Sequence, residues 1–215
     1  MHIRGILLSV SLFASLILGG CASTTVIQQA YQPQQKQQNS QDTVTATIVG
    51  NLQGNVTVVE YYDYECPHCH NQQAIMDEIV ANNPNVRLVY RVYPILQDRN
   101  PTSLYAAKAS LAAAMQGQFL EFHQAVMAIN HAPTVQDINT VAQSMGLNMT
   151  EFQQDMNSPL VMQQIESNIA SLGGLAQPTP LIFVGNRFVK APQVFNQETS
   201  YNTLEAAIVQ MGSQN

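Results

Sequence analysis

The segment Val56–Tyr62 reads Val-Thr-Val-Val-Glu-Tyr-Tyr, and Cys66-Pro67-His68-Cys69 follows almost at once, with a helical pattern behind it. β-Branched and aromatic side chains on both faces belong to a strand buried on both sides. A buried strand running into a helix through one short loop commits the chain to an α/β unit. It also sets the cysteine pair at a helix start, where unpaired amides and about half a positive charge favour an anion. Cys66 is thereby poised as a thiolate, the attacking species. Pro67 suits the first helical position, and His68 can add an N–H donor or a positive charge beside the sulfur. Cys69, one turn later, lies deeper and can reach Cys66, so the two can close a small disulfide and reopen it by exchange. Each pKa unit by which the Cys66 thiol falls below ambient pH stabilises the reduced pair by ~1.4 kcal/mol, or ~30 mV. A large drop makes the disulfide an oxidant.

The rest of the chain extends the same α/β pattern. Residues 44–49 alternate as an edge strand, and 51–55 carry turn residues around Gly54. After the cysteines, Ala74, Ile75, Ile79 and Val80 fall on one helix face, which Asn82-Asn83-Pro84-Asn85 ends. Residues 86–93 form the next strand. From 102 to 172 the period is helical: Leu104, Ala107, Leu111 and Ala114 make one stripe, and Phe119, Phe122, Val126 and Ile129 another. Thr134 caps a helix closed by Gly146, and Pro159 opens one ended by Gly173-Gly174. Strands return at 181–184 and 187–189 around a Gly185-Asn186 turn, and a helix over 204–211 closes the chain. The expected architecture is α/β over residues 44–215, interrupted by an all-helical insertion at about 98–174. Met115, Met127, Met145 and Met162 read as core, His123 and His131 as packing or surface residues, and Tyr61, Tyr62 and Tyr64 as core or rim. Asp63 and Glu65 read as solvated and so only weakly opposed to a thiolate.

Two distant features bear on the cysteine pair. Thr179-Pro180 precedes the strand at Leu181, and a cis proline there would turn the backbone towards the sulfurs. Glu60 stands inside the buried strand, where a carboxylate is costly. It either reaches solvent at a sheet end or serves as proton acceptor for Cys69.

The stretch from Val58 through Glu60 to Cys66-Pro67-His68-Cys69 resembles the active-site strand and helix start of the DsbA family of thioredoxin-fold thiol–disulfide oxidoreductases. Phe119-Leu120-Glu121-Phe122-His123 resembles that family's helical insertion, and the stretch from Gly174 to Gly185 its cis-proline segment. The resemblance implies a thioredoxin-like fold with an all-helical insertion and no cofactor. It implies Cys66 as nucleophile, Cys69 as resolving thiol, Glu60 as buried acid, and Thr179 and Pro180 as substrate-binding residues. Pro178 stands where the family usually has glycine. Threonine before the cis proline resembles isomerase and reductase relatives, whereas the Pro67-His68 dipeptide favours an oxidase. The expected activity is disulfide formation in reduced or misfolded exported proteins, with isomerase or reductase as the alternative and a membrane redox partner resetting the cysteines. Outside this class, Cys66-Pro67-His68-Cys69-His70 also matches a c-type haem attachment pattern with His70 as axial ligand. Zinc binding is not expected from so tight a turn.

The N-terminus reads as an address. His2 and Arg4 precede an apolar run over 6–18, shorter than the ~20 residues that span a bilayer. Leu18-Gly19-Gly20-Cys21 resembles the bacterial lipoprotein signal, which implies removal of residues 1–20 and lipidation of Cys21. Ala22 then favours the outer over the inner membrane, facing the periplasm. Residues 22–43 are rich in glutamine and too polar to bury a core, which suits a tether; glutamine also permits a helix pairing two subunits. With 14 acidic against 8 basic residues the chain carries −6, which argues against nucleic acid as a partner.

Overall fold

The computed structural model describes residues 47–173, 176–186 and 192–213. The chain divides into Met1–Gln41 and Asp42–Asn215, and all described residues belong to the second unit. The expected signal segment, Cys21, the tether, the first half of the strand at 44–49, Gly174 and the strand at 187–189 lie outside the described residues.

Five strands form one mixed sheet: β1 (Ile48–Gly50), β2 (Val56–Tyr62), β3 (Val86–Val92), β4 (Leu181–Asn186) and β5 (Gln193–Phe195), in spatial order β1-β3-β2-β4-β5. β2 and β3 are parallel, with Glu60 opposite Tyr90, and every other pairing is antiparallel. The β2–β3 crossover is α1 (Pro67–Asn82), as the strand–cysteine–helix pattern requires. Between β3 and β4 come α2 (Pro101–Met115), α3 (Phe119–Met127), α4 (Val135–Ser144), α5 (Met149–Met156) and α6 (Pro159–Ala170), and α7 (Tyr201–Gly212) follows β5. The fold is thus thioredoxin-like α/β with an all-helical insertion.

Local signals place several ends well. Thr134 and Asp137 form a reciprocal capping box at α4, and Gly146 takes φ +73° just beyond its end. Two expectations are corrected, and one helix, α5, goes beyond them. Gly185-Asn186 is not a turn: both residues lie in β4, where Asn186 pairs with Val56, and the next described strand is β5. Helix α5, capped by the Asn148 side chain, has a weak apolar stripe that buries only Phe152 and Met156. The buried face of α1 is Cys69, Gln72, Gln73, Met76 and Ile79, while Ala74 is exposed. Two glutamines can be buried there because each has partners: Gln72 exchanges hydrogen bonds with the Thr199 backbone, and Gln73 bonds Tyr90, Asp77 and His123.

Candidate active site

Cys66 occupies the N-cap of α1 in extended backbone conformation (φ −90°, ψ 114°), with Pro67 at the first helical position. Its carbonyl accepts from the amides of Cys69 and His70 at 3.0 and 3.3 Å, so the first turn is closed around the pair. Both thiols are free; Cys66 is 7% exposed and Cys69 1%. Both residues are thus buried, Cys69 the more completely.

The two thiols are driven apart in acidity. Cys66 is pulled down to about 5, chiefly by a hydrogen bond from Cys69. Burial opposes this, and the Thr179 side chain and the amides of Cys69 and His68 assist it. Cys69 is pushed well up, first by burial, then by its bond to Cys66 and by the charges of Cys66 and Glu60. Near neutral pH one group is therefore a thiolate and leaving group, while the other holds its proton.

Thr179 comes from 113 residues away, and the Cys66 thiol lies 3.2 Å from its carbonyl oxygen. The Thr179-Pro180 bond is cis, which places this backbone beside the sulfur at the start of β4. Glu60 does not reach solvent: it is 2% exposed, and Oε2 has no hydrogen-bond partner. Burial first, then the charges of Asp77 and Cys66, raise it from 4.5 to about 8.

Asp63 and Glu65 were expected in solvent, and both are buried. Asp63 accepts from the Glu65 and Leu96 amides, both at 2.9 Å, and from the Ser103 hydroxyl at 2.8 Å. One carboxylate thus ties the cysteine loop to the β3–α2 connection and the start of α2. Glu65 accepts from Asn100 at 2.7 Å, although its other oxygen lacks a partner. Burial leads in raising both acids, and the charge of His70 opposes it.

The histidines separate by role. His68 places Nδ1 3.2 Å from Glu198, and it is its backbone amide that serves Cys66. The segment holding Glu198 is fixed to α1 by the buried Gln72–Thr199 exchange. His70 places Nδ1 2.9 Å from the Met127 carbonyl and Nε2 2.6 Å from that of Tyr64, joining the cysteine loop to α3. With both nitrogens so engaged, neither is available as an axial haem ligand. His123 is buried in the core, bonded to Tyr64 and Gln73, and burial lowers it to about 3, so it stays neutral. Asp63, His70, Gln72 and Glu198 were missed as site-forming residues in the sequence. The only hint was their position within six residues of a cysteine for the first three; Glu198 had none. Among the described residues no group of three His, Cys, Asp or Glu side chains could hold a metal.

This constellation can do thiol–disulfide exchange, and similarity to known proteins agrees. The DSBA-like thioredoxin domain matches residues 57–208. A thioredoxin-like oxidoreductase from Silicibacter pomeroyi superposes with a TM-score of 0.70 at 32% identity, covering 78% of this chain and 92% of that one. The thiol-disulfide exchange protein alpha-DsbA2 from Wolbachia pipientis superposes at 0.66 with 23% identity, covering 79% and 90%, and so speaks for the fold. A Na(+)/H(+) antiporter NhaA from Herminiimonas arsenicoxydans is 32% identical over 162 residues, 74% of this chain. The chain spans only 25% of that antiporter's length. A cysteine pair of unequal acidity between a buried strand and a helix start, within a domain matched from residue 57 to 208, identifies the chain as a member of the DSBA-like thioredoxin domain family.

Proposed function

We propose that this chain is a thiol–disulfide oxidoreductase that forms disulfides in exported proteins through the pair Cys66–Cys69. The observation that carries the reading is the opposed acidity of the two sulfurs, about 5 for Cys66 and far above an ordinary thiol for Cys69. A substrate thiolate attacks the Cys66 sulfur of the disulfide, and Cys69 leaves. Glu60, protonated up to about 8, supplies the proton that this buried sulfur needs. A second substrate thiolate then displaces Cys66, which departs readily as a stable thiolate. Thr179 and Pro180 hold the substrate backbone beside the sulfur in this reading, supported by the Thr179 carbonyl at 3.2 Å.

The direction follows from magnitude. At pH 7 a thiol of about 5, against ~8.5 in solution, stabilises the reduced pair by ~2.7 kcal/mol. Solvent screening at the mouth of the site reduces this to roughly 2 kcal/mol, or about 40 mV towards oxidase behaviour. Disulfide-form protein mixed with a reduced, unfolded substrate tests the assignment. It should pass its disulfide on stoichiometrically, and Cys66→Ala should not. Activity only on scrambled substrate would make it an isomerase, and activity retained in Cys66→Ala would remove the nucleophile. A membrane redox partner would reoxidise the pair, and lipidated Cys21 would hold the domain at the outer membrane on its periplasmic side.

A further inference from the structure

On the side of the sheet opposite Glu60, the odd-numbered residues of β2 face an open groove of about 800 Å³. Its floor carries Val59 and Phe183, which are register partners on β2 and β4 and only half-buried. Arg87 and Arg91 of β3 border it. Each leans over β2: the Arg87 guanidinium donates to the Thr57 hydroxyl at 3.0 Å, and that of Arg91 to Tyr61 at 3.3 Å, with its carbon 5.6 Å above the Tyr61 ring. At one end Ile169 of helix α6 and Leu172 just beyond it pack on Tyr61, Tyr93 and Leu181. α/β sheets bury both faces under helices, so among the described residues part of one layer is open.

Charge says what fits. Of the chain's 14 acidic residues all but Asp42 are described, yet the described bases are only Arg87, Arg91, Arg99 and Lys108. Two of those four share this groove. Among the described residues neither makes an ion pair, the two ion pairs present being His68–Glu198 and His131–Asp137, and Arg87 Nε is buried without a partner.

Geometry says in what form. A sheet face offers no free backbone donors or acceptors, since the ladder uses them, so a segment laid across it must satisfy its own backbone. A helix does this and an extended strand does not. Positions 87 and 91 on a strand are ~13 Å apart, and residues i and i+8 of a helix are ~12 Å apart. We propose that the face bounded by Arg87 and Arg91 docks an acidic amphipathic helix of a partner protein. Its carboxylates at i and i+8 meet the two guanidiniums, and an apolar side chain at i+4 covers Val59 and Phe183. The site is distinct from the cysteines and does not rest on their chemistry.

The probe is a fluorescein-labelled, alanine-based peptide of roughly 18 residues with Glu at i and i+8 and Leu at i+4. Binding to the full chain is read by anisotropy at low and moderate salt. Replacing both Glu by Gln, or using Arg87→Gln/Arg91→Gln protein, should weaken binding roughly 10-fold or more, as should added salt. The double variant should keep its thiolate titration and its oxidation of reduced substrate, which shows that it is folded. A proline placed at the peptide's centre should abolish binding. Equal affinity for the Glu and Gln peptides, full affinity in the double variant, or tolerance of the proline would each overturn the proposal. So would a concentration-dependent dimer that the double variant loses, because a second copy would then own the groove.

Discussion

Glu60→Gln should stabilise the protein at neutral pH while slowing its chemistry. The carboxyl is 2% exposed, with one oxygen unpartnered, and is raised from 4.5 to about 8. A folded-state pKa above the unfolded one means that the native state holds a proton the unfolded state has released. Stability therefore falls as pH rises from 4.5 towards 8 and is lowest above that window. At pH 5 the cost is about 1 kcal/mol, at pH 7 about 3 kcal/mol and at pH 8 about 4 kcal/mol. Glutamine has the same shape and no proton to lose. The variant's advantage over wild type should thus grow by about 3 kcal/mol between pH 5 and pH 8. Urea unfolding of both reduced proteins at the two pH values measures this. A constant difference across the range would show that Glu60 is not a buried neutral acid. Turnover with reduced substrate should fall in the same variant, since Cys69 loses its proton source.

Other outcomes follow from the same geometry. Asp63→Asn removes an acceptor of three hydrogen bonds joining the cysteine loop to Leu96 and Ser103; thermal unfolding should show a loss of about 2–3 kcal/mol, whereas an unchanged Tm would refute its role as a tie. Glu198→Gln takes a carboxylate from beside His68 and Asn71 over the first turn of α1. The Cys66 titration should move further down, most visibly at low salt, and an upward move would contradict the electrostatic reading. If Cys21 carries lipid, Cys21→Ser should shift the protein from membrane to soluble fractions and abolish labelling by radioactive palmitate.

The strand, the cysteine pair and the helix behind it were legible because they lie within one short stretch and obey local periodicities. Thr179-Pro180 was legible as a distant companion because it directly precedes an apolar strand and resembles the family's cis-proline segment. The electrostatics of the cysteine loop were not. Asp63 and Glu65 look like surface charges, and only partners at Leu96, Asn100 and Ser103, brought in by the β3–α2 connection, allow them inside. Gln72 and Gln73 hide the inner face of α1 for the same reason: tertiary partners satisfy polar groups that a hydropathy pattern assigns to solvent. Gly185-Asn186 has the composition of a turn, but pairing with β2 overrides it. His68 does supply an N–H to Cys66, from its backbone, while its ring lies beside Glu198, 130 residues away, a partner that local sequence does not reveal.

The central claim concerns the charge on one sulfur. Thiolate absorbance near 240 nm, followed against pH in reduced protein and in Cys69→Ala, reads it directly. The wild-type curve should rise with a midpoint near 5 and persist, shifted upward, when the Cys69 donor is removed. A midpoint near the ordinary thiol value of about 8.5 would contradict the oxidase account.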